Sequence, residues 1–230
     1  MNKTNHSLFS LLIISIAALL GSQINLSLAI GSYSLSFSLF ALLLPLLGAY
    51  APLGQSCLLV SILYSIKCIF YGAPLTMGLP TLAATPSWST NQNRNQKIGN
   101  FLNLFLHIII PIVCIILFNL HPVGRHAFLY SWYWFIPITV YLLERKNIQI
   151  TFLKALQSTF IAHAIGSVIW LYRVPMSSTQ WLDLIPLVAI ERLTFACAST
   201  LLYVACKKIT NTTIVSLRFN KTLKKSQVDK

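Results

Sequence analysis

Apolar segments long enough to enter a bilayer recur along this chain with almost no charge inside them, and no other feature constrains its fold as much. Seven can be marked: Ser7–Gly21, Ser36–Tyr50, Gln55–Ala73, Phe101–Leu120, Ala127–Leu143, Thr151–Leu171 and Leu184–Cys206. A membrane-crossing helix needs roughly 20 mostly apolar residues. Charged residues make up 9% of the chain, against about 25% in soluble domains, so no soluble globular domain is expected. Inside hydrocarbon a backbone must satisfy its own hydrogen bonds, which selects helices at these lengths. The alternating segments of about ten residues that build a membrane β-barrel are absent from the sequence. The expected fold is all-α, a polytopic transmembrane bundle of six to seven helices forming one domain over 1–206. A basic tail, 207–230, follows it.

The first segment, with Lys3 ahead of it, reads as a span rather than a signal peptide, since no small-x-small cleavage site follows and apolar residues resume at Leu26–Ile30. Gly72, Pro74, Gly78 and Pro80 read as an ordered turn, and the polar stretch Thr85–Lys97 as a loop.

The net charge of +13 is concentrated at polar breaks and at the C-terminus, where seven Lys and Arg follow Cys206. Basic residues beside a span favour the cytoplasmic side and anionic lipid headgroups. The tail is therefore expected inside, as is the loop Glu144–Asn147 two spans earlier, with Arg145, Lys146 and the nearby Lys154. Pro111 and the polar break Asn119–His126 leave open whether Phe101–Leu120 crosses fully, giving seven spans and an N-terminus outside, or is re-entrant or lies along the surface, giving six spans and both termini inside. A reporter active only outside the cytoplasm, fused after residue 230, is expected to stay silent, and activity would reverse the orientation. No aromatic-interleaved basic domain suggests nucleic acid. Cys57, Cys68, Cys114, Cys197 and Cys206 lie in or at the ends of apolar stretches with no Cys-x-x-Cys spacing, so neither a metal site nor a disulfide framework is expected.

Ionisable groups inside spans are costly and mark functional positions. Lys67 interrupts the third segment, and Glu191 with Arg192 interrupts the last. Two readings stand side by side: Glu191 pairs with Lys67 or Arg192 to join helices, or these groups line a polar cavity that binds a solute. Trp134 belongs to an aromatic run, Tyr130–Phe135, that suits either an interfacial belt or a stacking wall for a flat ligand. His163 has no histidine partner at i+4 and no adjacent acid, so it is expected to be a hydrogen-bonded packing residue. Ala17 and Gly21 form a small-xxx-small step that lets another helix approach, whether within the chain or on a docking partner. The nucleophile, base and orienting acid of a hydrolase cannot be assembled from four acids. No enzyme activity and no cofactor are expected.

From Leu19 to Pro80 the chain resembles the biotin-binding S-component of energy-coupling-factor transporters. The resemblance rests on Leu20–Ile24 after a first helix, the run Leu35–Tyr50, the small-residue turn Pro52–Gly54, and a tyrosine-containing helix that ends in Tyr71–Gly78. Val168–Leu171 and Leu184–Glu191 are similar to the family's last two helices. Glu191 falls where the family has an aspartate and Thr194 where it has a lysine, with Arg192 as the nearby base. The resemblance implies capture of biotin or a biotin-like solute by Glu191, Arg192, Lys67, Trp134 and Thr194. It further implies an energy-coupling membrane subunit and paired ATPases as partners, and a multi-pass location in the bacterial inner membrane. The chain has no Gly-x-x-x-x-Gly-Lys-Ser/Thr phosphate loop of its own.

Overall fold

The computed structural model describes residues 3–21, 25–30, 33–72, 76, 78–88 and 101–228, with side chains over 11–21, 40–72, 76, 78–88 and 101–209. Pro74, Arg94, Lys97 and Lys230 lie outside the described residues. The order of elements is α1 (Lys3–Gly21), a hairpin of β1 (Asn25–Ile30) and β2 (Tyr33–Ser38), α2 (Leu39–Leu43), α3 (Leu53–Tyr71), α4 (Gly78–Ala84), α5 (Phe101–Leu120), α6 (Pro122–His126), α7 (Phe135–Arg145), α8 (Thr151–Leu171) and α9 (Ser178–Val228). Three 3-10 turns, Leu44–Ala49, Thr85–Trp88 and Phe128–Trp134, extend α2, extend α4 and lead into α7. Apart from the hairpin, the described residues form an all-α protein.

Among the described residues, four helices are long and apolar enough to cross a membrane: α3, α5, α8 and the stretch Ser178–Ile209 of α9. Large apolar side chains cover their outer faces, with Phe70 75% and Leu201 70% exposed, as lipid contact allows and water penalises. This is a multi-pass membrane architecture. The other three apolar segments take different forms. The first is α1, and Leu11–Gly21 is its apolar part. The second begins in β2 and becomes the short helical stretch Phe40–Ala49. The fifth opens as a 3-10 turn before the 11 residues of α7. The hairpin follows from strict alternation, Leu26, Leu28 and Ile30 pairing across from Phe37, Leu35 and Tyr33. The tail begins as an uninterrupted continuation of α9.

Two turns behave differently from the sequence expectation. Thr85–Trp88, expected as the start of a polar loop, is a buried 3-10 turn. Its backbone approaches Gly48 so closely that a Cβ there would overlap the Thr85 carbonyl. Gly72 does end α3, in the left-handed conformation at φ 65°, with its N–H donating to the Cys68 carbonyl. Gly78 and Pro80, however, belong to α4.

Pro111 does not break α5. Proline has no N–H and crowds the carbonyl four residues back, here that of His107. The helix widens instead into a π turn over Phe105–Ile109, where the Ile110 N–H reaches the Phe105 carbonyl. The His107 ring is pinned there, its Nδ1–H donating to the Asn103 carbonyl at 2.8 Å while Ser87 donates to Nε2 at 3.1 Å. A carbonyl can only accept, so the neutral ring carries its proton on Nδ1. At the loop between α7 and α8, Asn147 takes a positive φ of 64° to turn the chain into α8. Beside it, burial raises the pKa of the Glu144 carboxyl, an effect that Lys154 opposes.

The buried side chains gather in two cores. One joins Ile14 and Ala18 of α1 to Leu44, Leu47, Val60, Tyr64 and Trp88. The other is built on Phe118, Tyr130, Trp134, Trp181 and Val188. Helices α8 and α9 run through both, contributing Ala155 and Ala196 to the first and Ala164, Leu171 and Trp181 to the second.

Candidate functional site

A cavity of about 450 Å³ lies between the two cores, lined by Trp88 and Ala155 of the first and by Tyr130, Trp181 and Val188 of the second. Its longest wall is one face of α8: Ala155, Ser158, Thr159, Ala162, His163, Gly166, Ser167 and Trp170. These recur at three- and four-residue steps, so they form one stripe of the helix. Small residues leave the space, and hydroxyls make the wall polar without charge. A second stripe, Trp181, Leu184, Val188, Glu191, Arg192, Phe195 and Ser199, comes from α9. Pro45 after α2, and Pro80, Thr81 and Ala84 of α4, line another side.

The charged part is a buried ion pair. Arg192 donates through Nη2 to the Glu191 carboxylate and through Nη1 to Thr159 Oγ1 at 3.2 Å, and its guanidinium carbon sits 4.9 Å from the centre of the Phe195 ring. The Arg192 Nε–H has no hydrogen-bond partner among the described residues. The two formal charges cancel, so this part of the wall is polar but electroneutral.

The uncharged part is a chain of hydrogen bonds around His163. The Trp134 indole N–H, which can only donate, points to His163 Nδ1 at 3.2 Å. Nδ1 is therefore the acceptor and the neutral ring carries its proton on Nε2. That proton goes to Tyr130 Oη at 2.8 Å, which leaves the Tyr130 hydroxyl hydrogen for Ser167 Oγ at 3.3 Å or for an acceptor in the cavity.

The structure brings together some of the residues singled out by sequence and separates others. Glu191 and Arg192 sit side by side on the cavity wall. Lys67 lies on α3 with its ammonium 4.7 Å from the centre of the Phe40 ring, and it is not among the lining residues. Trp134 is fully buried and is not among the lining residues; its indole N–H is directed at His163. Thr194 is exposed and donates to the Ile190 carbonyl of its own helix at 2.8 Å. Ala17 is half-buried against the first core and Gly21 is buried. His163 is hydrogen-bonded, as its sequence context suggests, and also lines the cavity. The residues that sequence reasoning passed over are Ser158, Thr159, Ser167 and Trp181. The signal for the α8 group was present as small and hydroxyl residues at helical spacing within an apolar span.

Comparisons with protein-family models, with curated proteins and with solved structures return no match to this chain.

Proposed function

We propose that this chain is the solute-binding membrane component of a small-molecule uptake system, with a biotin-like vitamin as the class of solute that the S-component resemblance implies. The observation that supports it best is a cavity of about 450 Å³ with polar groups on its wall, among helices whose outer faces are apolar. Small-molecule sites are mostly apolar clefts of about 300–1,000 Å³ with a few placed polar groups. On this reading the shorter apolar helices complete six to seven crossings in a bacterial inner membrane. Energy comes from an energy-coupling membrane subunit and its ATPases, and the chain carries out no chemical step itself. The basic residues after Cys206 meet anionic lipid at the cytoplasmic face.

One observation favours a second reading, a membrane scaffold or assembly subunit: Glu191 and Arg192 neutralise each other without any ligand. Thermal melting of the purified full chain with a panel of vitamins separates the two. A binder gains about 2.7 kcal/mol at a ligand concentration 100 times Kd. A chain whose melting no vitamin raises is a scaffold.

A further inference from the structure

Tyr130, His163 and Ser167 all line the cavity, and together they hold one more hydrogen than they can place among themselves. His163 Nε2 lies 2.8 Å from Tyr130 Oη, Tyr130 Oη lies 3.3 Å from Ser167 Oγ, and Ser167 Oγ lies 3.3 Å from His163 Nε2. The Trp134 N–H occupies the acceptor nitrogen, Nδ1, so Nε2 carries the ring proton and has no lone pair to offer. Each hydroxyl brings a hydrogen of its own. The Nε2 hydrogen goes to one hydroxyl oxygen, and the contact between the two oxygens uses a second hydrogen. The third stays on a hydroxyl and finds no acceptor among the described residues, where neither Tyr130 nor Ser167 has another side-chain hydrogen bond. Glu191 and the hydroxyls of Thr81, Ser158, Thr159 and Ser199 also line the cavity, but none is hydrogen-bonded to this cluster. Arg192 brings further N–H hydrogens to the wall, and these add donors, not acceptors. A phenol is the stronger donor of the two hydroxyls, so Tyr130 gives its hydrogen to Ser167, and the hydrogen left over is the one on Ser167.

We infer that the cavity holds its solute by a carbonyl-type oxygen seated against Tyr130 and Ser167, which takes the hydroxyl hydrogen that the cluster cannot place. A buried hydrogen bond of this kind is worth little when made and much when missing, so it selects for an acceptor at this point of the solute. The donor is uncharged, because His163 cannot take a second proton on Nδ1 while Trp134 donates to that atom. A neutral carbonyl therefore matches it without a buried counter-charge. The inference rests on the solute-binding reading proposed above and deepens it by naming the group on the solute that this wall recognises.

The test is nitrogen NMR of the full chain in detergent, isotope-labelled at histidine and titrated with acetophenone and with α-methylstyrene. These two molecules differ only by a carbonyl oxygen in place of a methylene. Before titration, His163 is expected to show a protonated Nε2 and a bare Nδ1, the reverse of His107, whose Nδ1–H donates to the Asn103 carbonyl. A His163 ring protonated on Nδ1 overturns the hydrogen count. Acetophenone is expected to shift the His163 resonances and, at equal free concentration outside the micelles, to bind at least about fivefold tighter. Tyr130→Phe and Ser167→Ala should each keep that preference, because the surplus hydrogen then sits on the remaining hydroxyl. The double variant removes both hydroxyls and should bring the preference below about twofold. Equal binding of the two compounds by the unaltered chain overturns the carbonyl assignment and leaves solute binding intact. So does a preference that survives in the double variant. If neither compound moves His163 the inference also falls, and the solute-binding reading falls with it only when no vitamin raises the melting temperature. If the double variant does not accumulate, the His163 tautomer and the preference of the unaltered chain decide the matter.

Discussion

Glu191→Gln should destabilise the protein by about 3–5 kcal/mol, the usual consequence of removing one partner of a buried ion pair. Glu191 is 6% exposed and is the carboxylate that Arg192 contacts. Glutamine keeps the shape and removes the charge, so the guanidinium is left with an amide oxygen, Thr159 and the Phe195 ring, none of which carries a compensating charge. Replacing both partners, Glu191→Leu with Arg192→Met, should recover most of the loss, because a buried pair replaced by apolar groups of similar volume is often neutral for stability. Function should not recover with it. Uptake per folded molecule is expected to fall at least about tenfold in the single variant, equivalent to about 1.4 kcal/mol, and to stay low in the double. Melting curves and uptake normalised to folded protein check both halves. A single variant that melts and transports like the unaltered chain would show that the pair neither holds the helices nor shapes the cavity.

The second large effect is expected at Gly48. Its missing side chain lets the turn Leu44–Ala49 lie against Thr85, and the atom a Cβ would strike is a backbone carbonyl that no rotamer change can move. Both turns feed the cavity, through Pro45 on one side and Trp88 on the other. Gly48→Ala is expected to destabilise by about 2–3 kcal/mol through overpacking and to weaken solute binding by separating these walls. Gly54→Ala is the matched control. Nothing lies within 4 Å of the added carbon there, and alanine in the first turn of α3 should raise stability by about 0.4–1 kcal/mol. If the two variants melt alike, the close approach at Gly48 is not limiting.

What could be read in advance divides along physical lines. Helices α3, α5 and α8 and the apolar part of α9 were legible because length and hydropathy alone specify a span. Glu191 and Arg192 were legible because charge in an apolar run is conspicuous. The hairpin was not, although the alternation at 25–30 and 33–38 was in plain view; a chain so rich in apolar residues invites a helical reading wherever leucines recur. The α8 wall was missed for a related reason. Looking for charge overlooks serines, threonines and glycines, which make a cavity by being small and by hydrogen-bonding without titrating. Trp134 was noticed for its ring, yet what it contributes is its N–H, directed at a histidine 29 residues away in sequence. The meeting of Gly48 with Thr85 has no sequence signature either, since it depends on how two short turns stack once the longer helices are in place.

Helix α9 carries Trp181, Glu191 and Arg192 and continues as helix to Val228. At 1.5 Å per residue its far end lies about 60 Å beyond Pro186, roughly twice the thickness of a bilayer's hydrocarbon core. Pro186 deprives the Leu182 carbonyl of its helical donor, and the next turn is held from outside by the Tyr133 hydroxyl, which donates to the Ile185 carbonyl at 2.8 Å. Geometrically, Pro186 stands near the cavity end of this helix, and a long arm of it extends beyond. A tilt of about 10° at Pro186 sweeps the tip through about 11 Å over that length, so a displacement too small to notice at the cavity wall becomes a movement the size of a side chain or more at the opposite end.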